Sequence, residues 1–115
     1  MHELSIVEAL IEQVDRELRR AGQQGRVVRL EVSVGRLSGV NPDSLRFAFE
    51  LLGQETRVGG AEIIIREPKA VCRCRSCNAR VEIEDLVVQC PQCASPDIAI
   101  EGGRDLTLQS IDVEE

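Results

Sequence analysis

Apolar residues within the first twenty positions recur at three- and four-residue steps, and charged residues fill most of the positions between them. This spacing places the apolar side chains on one face of a helix. Ser5 and Glu8 have the spacing of a capping box, in which each side chain satisfies a free backbone N–H of the first turn. The pattern therefore predicts an amphipathic helix that begins at Ser5, leaves residues 1–4 outside and ends between Gly22 and Gly25. Its apolar positions are Leu4, Val7, Leu10, Ile11, Val14 and Leu18.

Three later segments have the composition of β-strands. Residues 28–34 alternate apolar and polar side chains, which predicts a strand with one buried face. Residues 61–67 follow a Gly-Gly turn and predict a second strand. Residues 106–113 predict a third, and the change of phase in its apolar set indicates a bulge near Gln109 and Ser110.

A second helix is predicted to begin at the tripeptide Asn41-Pro42-Asp43. Asn is a good N-cap, Pro is tolerated at the first helical position, and a carboxylate favours the positive end of the helix dipole. The buried stripe of this helix is predicted to consist of Leu45, Ala48, Phe49 and Leu52.

The sequence pattern changes at Pro68 and Lys69, which we interpret as a domain boundary. Beyond these residues the cysteines cluster and the long apolar periodicity stops. We therefore predict an α+β fold in which two helices pack on a three-stranded sheet. A rubredoxin-like zinc-ribbon subdomain is inserted at residues 69–103. The main domain then comprises residues 1–68 and 104–115.

Four of the five cysteines form two C-x-x-C pairs, Cys74 with Cys77 and Cys90 with Cys93, separated by 12 residues. Structural zinc takes four ligands in a tetrahedron, and each pair can supply two thiolates from a tight turn. Since four thiolates leave no open coordination position, the predicted zinc ion is structural and not catalytic.

The segment between the two pairs is predicted to form a hairpin that brings them together. Residues 81–83 and 87–88 would be its two short strands, joined around Glu84 and Asp85.

Cys72 is a competing ligand two residues before Cys74. We expect it to be a spare thiol near the metal, because Cys74 and Cys77 match the spacing of the second pair. Two disulfides, or four unrelated buried thiols, are the alternatives to a metal site. A reducing compartment and the paired spacing favour metal.

Composition limits the classes of partner. Apolar residues make up 43% of the chain and charged residues 30%, which is typical of a globular protein, and the net charge is -6. A negative chain repels phosphate, so general nucleic-acid binding is not expected. The sequence has neither a recognisable secretory signal nor an apolar run long enough to span a membrane, so we expect a cytoplasmic protein.

The single histidine, His2, lies beside the chain's amino terminus. Its imidazole could join the Met1 amine and the deprotonated backbone amides of His2 and Glu3 in fused chelate rings. Planar nitrogen donors of this kind suit nickel or copper(II). An exposed residue at a chain end is the simpler interpretation on spacing alone.

Three motifs spread over the chain are distinctive in combination. They are the start Met1-His2-Glu3-Leu4-Ser5, the series Cys72-x-Cys74-x-x-Cys77 followed by Cys90-Pro91-x-Cys93, and the ending Ile111-Asp112-Val113-Glu114. Together they closely resemble the HypA/HybF family of hydrogenase maturation nickel chaperones. The segment Val34-Gly35-Arg36-Leu37-Ser38 and the helix from residue 41 to 52 are also similar to that family's pattern.

The resemblance implies a nickel-binding domain of two helices and a three-stranded sheet, interrupted by a zinc domain. It implies that His2 is the nickel side-chain ligand, with the Met1 amine and the backbone of His2 and Glu3 as companions. The nickel would be delivered to the large subunit of nickel-iron hydrogenase with the GTPase HypB. The fourth nickel donor, a role in urease maturation, and the choice between monomer and homodimer stay open.

Two other functional classes remain to be compared. A zinc-ribbon adaptor could bind nucleic acid or a transcription partner through the basic spot at Arg73, Arg75 and Arg80. An enzyme is not expected, because the sequence shows no nucleophile with a general base, no phosphate-binding glycine loop and no recognisable carboxylate pair.

Overall fold

The computed structural model describes residues 2–114, which form two helices and six strands. In chain order these are α1 (His2–Arg20), β1 (Val27–Val34), α2 (Pro42–Gly53), β2 (Glu62–Arg66), β3 (Ala70–Cys74), β4 (Arg80–Ile83), β5 (Ile98–Glu101) and β6 (Leu106–Val113). Two helices with two small sheets confirm the predicted α+β class. Neither described helix combines the length and the apolar character that a membrane crossing requires.

The chain divides into two compact units. The first contains the described parts of 1–32, 40–65 and 107–115, and the second contains 33–39 and 66–106. The segment 33–39 is the main difference from the boundaries expected from sequence, which placed it in the main domain. The expected division into a nickel domain and a zinc domain stays a prediction about function.

The first unit is built on a sheet with the strand order β2-β1-β6. Both helices and all three strands contribute apolar side chains to this unit, and α1 also packs against α2. Its buried apolar residues include Val7, Leu10, Val14, Leu18, Val27, Leu30, Val32, Leu45, Ala48, Phe49, Val58 and Ile63. The burial pattern of β6 changes phase where Gln109 and Ser110 are both exposed, and the bulge expected there stays a prediction.

The start of α1 differs from the prediction. The helix begins at His2, three residues before the predicted cap, and Ser5 and Glu8 are exposed within it. The reason is that the buried face extends further toward the amino terminus, because Glu3 lies one turn before Val7 on the same stripe and is itself buried.

The start of α2 agrees with the prediction. Asn41 has an extended backbone and its side-chain oxygen accepts a hydrogen bond from the Ser44 N–H at 3.0 Å, while Pro42 occupies the first turn. Of the predicted stripe, Leu45, Ala48 and Phe49 are buried and Leu52 is half-buried.

The second unit contains a sheet with the order β4-β3-β5, in which both neighbours run antiparallel to β3. The predicted hairpin is therefore wrong: residues 87–88 are not a strand, and β4 pairs with the upstream strand β3. The pairing sets Cys72 opposite Val81 and Ile100. Sequence periodicity missed β3 because its buried positions are the small residues Ala70, Cys72 and Cys74.

Residues 33–39 join the second unit through a close approach between two glycines. The Gly35 N–H donates to the Asp105 carbonyl at 2.9 Å, and the Leu37 N–H donates to the Gly103 carbonyl at 2.6 Å. A Cβ on Gly35 would lie 2.2 Å from the Gly103 carbonyl oxygen. A side chain at position 35 would therefore force the two backbone segments apart. Leu37 packs against the apolar cluster of Ala70, Cys72 and Ile83.

Candidate metal centres

Four sulfur atoms converge in the second unit, and they belong to the two C-x-x-C pairs. The Sγ atoms of Cys74, Cys77, Cys90 and Cys93 all lie within 4.8 Å of one another. Cys74 and Cys93 are 3.6 Å apart between sulfurs, and Cys77 and Cys90 are 3.8 Å apart. The spacing of the cysteines thus predicted a group of residues that the fold brings together.

The two pairs meet because of β5 and not because of the segment between them. The first pair begins at the end of β3, and β5 follows the second pair and places Ile98 opposite Cys74. The Arg75 N–H donates to the Asp97 carbonyl at 3.0 Å, and the hydroxyls of Ser76 and Ser95 lie 2.8 Å apart. These contacts hold the turn of one pair against the end of the other.

Each pair forms a turn whose backbone N–H groups point at its first sulfur. Cys74 Sγ accepts from the N–H groups of Ser76 at 3.3 Å and Cys77 at 3.4 Å. Cys90 Sγ accepts in the same way from Gln92 at 3.4 Å and Cys93 at 3.5 Å. The two turns therefore share one hydrogen-bond pattern, and the first sulfur of each lies in the four-sulfur cluster.

The residue after each pair has a left-handed backbone, with φ of 63° at Asn78 and 64° at Ala94. This conformation lets the Asn78 N–H donate to the Cys74 carbonyl at 3.1 Å and the Ala94 N–H donate to the Cys90 carbonyl at 2.9 Å. The turns are therefore closed by backbone geometry as well as by the sulfurs.

The N–H donors stabilise the thiolate form of the first cysteine in each pair. The Cys77 N–H is the main cause that lowers the pKa of the Cys74 thiol to about 6. The Cys93 N–H is the main cause that lowers the pKa of the Cys90 thiol. Thiolate is the form of cysteine that binds a metal, so the backbone favours the required charge state.

The sulfur arrangement can be compared with tetrahedral zinc. Zinc–sulfur bonds of about 2.3 Å at tetrahedral angles require sulfurs about 3.8 Å apart. The separations of 3.6 Å and 3.8 Å are close to that value. These four cysteines could therefore hold a metal such as zinc.

Cys72 lies outside this group. Its side chain is buried in the apolar cluster with Ala70 and Ile83, and burial is the main cause that raises the pKa of its thiol. The structure therefore gives Cys72 the surroundings of a packed apolar residue.

The other predicted ligand, His2, lies in the first unit at the start of α1. Its imidazole is 63% exposed, and Nε2 lies 3.3 Å from Glu3 Oε2. The same Glu3 oxygen accepts the Asn41 N–H at 3.4 Å, and this hydrogen bond is the main cause that lowers the pKa of the Glu3 carboxyl. Met1, whose amine was predicted as a companion ligand, lies outside the described residues.

The side chain of Glu3 is a feature that the sequence reasoning missed, since only the backbone of this residue was considered. A signal was available: Glu3 is spaced four residues from Val7 and seven from Leu10, so a carboxylate falls on the apolar stripe of the helix. A buried carboxylate needs a partner, and here the partners are His2 and Asn41.

The chain is similar to known proteins over almost its whole length. A family model described as "Hydrogenase/urease nickel incorporation, metallochaperone, hypA" matches residues 1–113. A protein from Chlorobium limicola named "Hydrogenase maturation factor HypA" is 39% identical over 115 residues, covering 100% of this chain and 98% of the relative. A protein of the same name from Syntrophus aciditrophicus is 39% identical, covering 99% of this chain and 100% of the relative.

Two solved structures share the fold. The solution structure of the Ni metallochaperone HypA from Helicobacter pylori has a TM-score of 0.66 at 25% identity and covers 96% of both chains. A second, titled "Solution structure of HypA protein", has a TM-score of 0.69 at 24% identity, covers 99% of this chain and 97% of the other, and bears on the fold alone.

Proposed function

The chain belongs to the HypA family of nickel-incorporation metallochaperones of hydrogenase maturation, and we propose that it binds Ni(II) through His2 and delivers it to the large subunit of nickel-iron hydrogenase. The GTPase HypB is its proposed partner in delivery. The four-cysteine group is proposed to hold a structural zinc ion. The protein is proposed to act in the cytoplasm without catalysing a reaction itself.

The contact between His2 and Glu3 carries the nickel proposal. A neutral imidazole that donates its Nε2 hydrogen to the Glu3 carboxylate at 3.3 Å has Nδ1 free for a metal. Carboxylates that accept from the second ring nitrogen of a ligating histidine are a common support of metal sites, because they orient the ring and raise its basicity. Glu3 is in turn held by the Asn41 N–H.

The start of a helix is also a suitable place for backbone nitrogen ligands. The first four N–H groups of an α-helix have no carbonyl partner within the helix. The proposed ligands besides His2 Nδ1 are the Met1 amine and the backbone nitrogens of His2 and Glu3. Binding through these amides would release protons, so nickel affinity should fall as the pH falls.

Calorimetric titration of the zinc-loaded protein with nickel tests this proposal. The wild type should bind one nickel ion, His2→Ala should lose that binding, and Glu3→Gln should weaken it about tenfold, as other losses of a second-sphere partner do. Glu8→Ala removes an exposed carboxylate from the same helix and is the matched control, with unchanged affinity expected. Equal nickel affinity in the wild type and His2→Ala would remove His2 from the site.

The zinc proposal is supported by the convergence of the four sulfurs within 4.8 Å of one another, by the two separations of 3.6 Å and 3.8 Å, and by the N–H donors described above. It assigns Cys74, Cys77, Cys90 and Cys93 as ligands and leaves Cys72 in the apolar cluster. Zinc-edge X-ray absorption of Cys72→Ala should show an unchanged sulfur shell. Loss of one sulfur in that variant would make Cys72 a ligand.

Delivery is tested by transfer of nickel from the loaded chaperone to the metal-free hydrogenase large subunit. Transfer should require His2 and should increase when HypB and GTP are present. No transfer with a nickel-loaded wild type would contradict the delivery step alone. Repeating the assay with urease maturation factors tests the urease branch that the family description also names.

The adaptor alternative is weakened by the pairing of its basic spot. Arg73 and Arg80 both lie beside Glu101, at 3.0 Å and 3.5 Å, and Arg75 lies 2.6 Å from Asp97. Paired guanidinium groups on an acidic chain offer little to a phosphate backbone. Filter binding with RNA and duplex DNA at modest salt should therefore show no retention.

A further inference from the structure

The helix α2 exposes two apolar side chains on the face that points away from its buried stripe. Phe47 is 65% exposed and Leu51 is 52% exposed. They are four residues apart, so they are neighbours on the helix surface. Phe47 is one of the two aromatic residues in the chain, and the other, Phe49, is 2% exposed. Single apolar residues are ordinary on a surface, but aromatic residues are enriched where proteins dock, so this pair marks a candidate contact patch.

Two carboxylates border this patch. Asp43 lies one turn before Phe47, and Glu50 lies one turn after it. Both are exposed, and neither forms an ion pair with any residue between positions 2 and 114. The one cation of α2, Arg46, donates to the Ile63 carbonyl at 2.7 Å, so its guanidinium is held at strand β2. The border of the patch is therefore acidic.

Glu50 lies in an unfavourable position within its own chain. It belongs to the last turn of α2, which contains no basic residue. The carboxyl end of a helix carries a partial negative charge, so a carboxylate there is destabilising and a cation is stabilising. A lysine or arginine of a partner would be attracted by both Glu50 and the helix end.

A hollow beside the last turn of α2 offers space for such a side chain. Its volume is about 320 Å³, and it is bounded by Glu50 and by residues 58–61. Among the described residues that line it, Glu50 alone is charged, and the others are glycines and apolar residues. The Arg26 guanidinium reaches the same turn, but it donates to the Gly59 carbonyl at 2.8 Å and forms no ion pair with Glu50. The stem of a lysine or arginine could therefore lie on apolar atoms while its charge meets Glu50.

We propose that this face of α2 is the docking surface for a partner protein that presents a basic amphipathic helix. The apolar side chains of that helix pack on Phe47 and Leu51, and one of its cations pairs with Glu50. A helix is the expected form, because side chains four residues apart make a ridge that fits the groove of a second helix. The acidic border disfavours an anionic lipid surface. The inference does not depend on the proposed nickel chemistry.

Fluorescence anisotropy with two labelled synthetic peptides tests the proposal on the full zinc-loaded chain. One peptide is an amphipathic helix with leucine on one face and lysine along its borders, and the other has glutamate in place of each lysine. The wild type should bind the lysine peptide and not the glutamate peptide. Phe47→Ser should weaken binding of the lysine peptide roughly tenfold, because a central aromatic contact is lost.

Glu50→Lys tests the charge. It should weaken binding of the lysine peptide and create binding of the glutamate peptide, because attraction and repulsion exchange places. Glu12→Lys is its matched control, since it makes the same change of net charge at an exposed position of α1. Val28→Ser is the control for Phe47→Ser, since Val28 is an exposed apolar residue on β1. At physiological salt both controls should bind the lysine peptide within about twofold of the wild type.

Circular dichroism and zinc content check that every variant is folded. A wild type that binds neither peptide, or both equally, would overturn the proposal. Equal weakening by Glu12→Lys and Glu50→Lys would also overturn it, because only the net charge of the chain would then matter. Binding to vesicles of phosphatidylserine and phosphatidylcholine that Phe47→Ser abolishes would assign the patch to a membrane instead.

Discussion

Ala94 is held in a backbone conformation that costs energy for a residue with a Cβ. Its φ of 64° lies in the left-handed region, and this φ closes the turn of the second cysteine pair. Left-handed geometry costs about 1–2 kcal/mol for an ordinary residue and almost nothing for glycine. In this conformation the Ala94 N–H donates to the Cys90 carbonyl at 2.9 Å, which closes the turn.

We expect Ala94→Gly to stabilise the zinc-loaded protein by about 0.5–1 kcal/mol, since relief of strain exceeds the extra chain entropy of glycine. Urea unfolding at fixed zinc measures the change. Asn78→Gly is the matched control at the equivalent position, and it should gain less because Asn tolerates this region better. Destabilisation of Ala94→Gly would show that its methyl group makes contacts that outweigh the strain.

At the level of single residues, the sequence predicted the sulfur cluster but not the role of the Glu3 side chain. The cysteines could be found because their ligand spacing is local and depends on one turn. The Glu3 carboxylate accepts a hydrogen bond from the Asn41 N–H, 38 residues away, and only the fold brings the two residues together.

At the level of elements, the long and regular patterns were predictable. The strand β1 alternates regularly from Leu30 to Val34, and α2 carries both an apolar stripe and its cap at Asn41. The alternation fails only at the start of β1, where Val27 is buried and Val28 is exposed. The sheet of the second unit was not predictable in the same way, because its strands have four or five residues and β3 buries mainly cysteine and alanine. An apolar pattern alone does not identify the pairing partners of such short strands.

The turn before β6 allows a prediction from two adjacent glycines. Gly102 and Gly103 both have φ of 71°, but a Cβ on Gly102 would meet nothing within 4 Å. A Cβ on Gly103 would lie 2.7 Å from the Ala70 Cβ. Gly102→Ala should cost about 1–2 kcal/mol from backbone strain, and Gly103→Ala should cost about 1–3 kcal/mol more because of the clash.

Chemical denaturation of the two alanine variants, zinc-loaded, measures this difference. The shared backbone conformation makes each variant the control for the other. Equal losses of stability would mean that Ala70 moves aside without cost and that the close packing at Gly103 is unimportant.

At the level of the whole molecule, the two units should respond differently to loss of zinc. The second unit has only a small apolar cluster, whereas two helices and a sheet contribute buried side chains to the core of the first unit. Structural zinc contributes on the order of 10–16 kcal/mol to small zinc-folded peptides. We expect chelation of zinc, or Cys90→Ala, to remove hydrogen-exchange protection from β3, β4 and β5 while α1 and α2 stay protected.

Cys72→Ala is the control for that experiment, because it removes a buried thiol from outside the four-sulfur group. It should keep its zinc and its exchange protection in β3, with a loss of about 1 kcal/mol from the smaller side chain. Protection of β3 to β5 that survives complete zinc removal would contradict a metal-dependent fold.

We propose that one chain holds two metals in chemically different places, a structural zinc among thiolates and a transferable nickel at His2. X-ray absorption at both metal edges of the doubly loaded protein tests this most directly. The zinc spectrum should show four sulfurs at about 2.3 Å, and the nickel spectrum should show nitrogen and oxygen donors with imidazole scattering that disappears in His2→Ala. Sulfur in the nickel shell, or imidazole scattering that persists in His2→Ala, would contradict the claim.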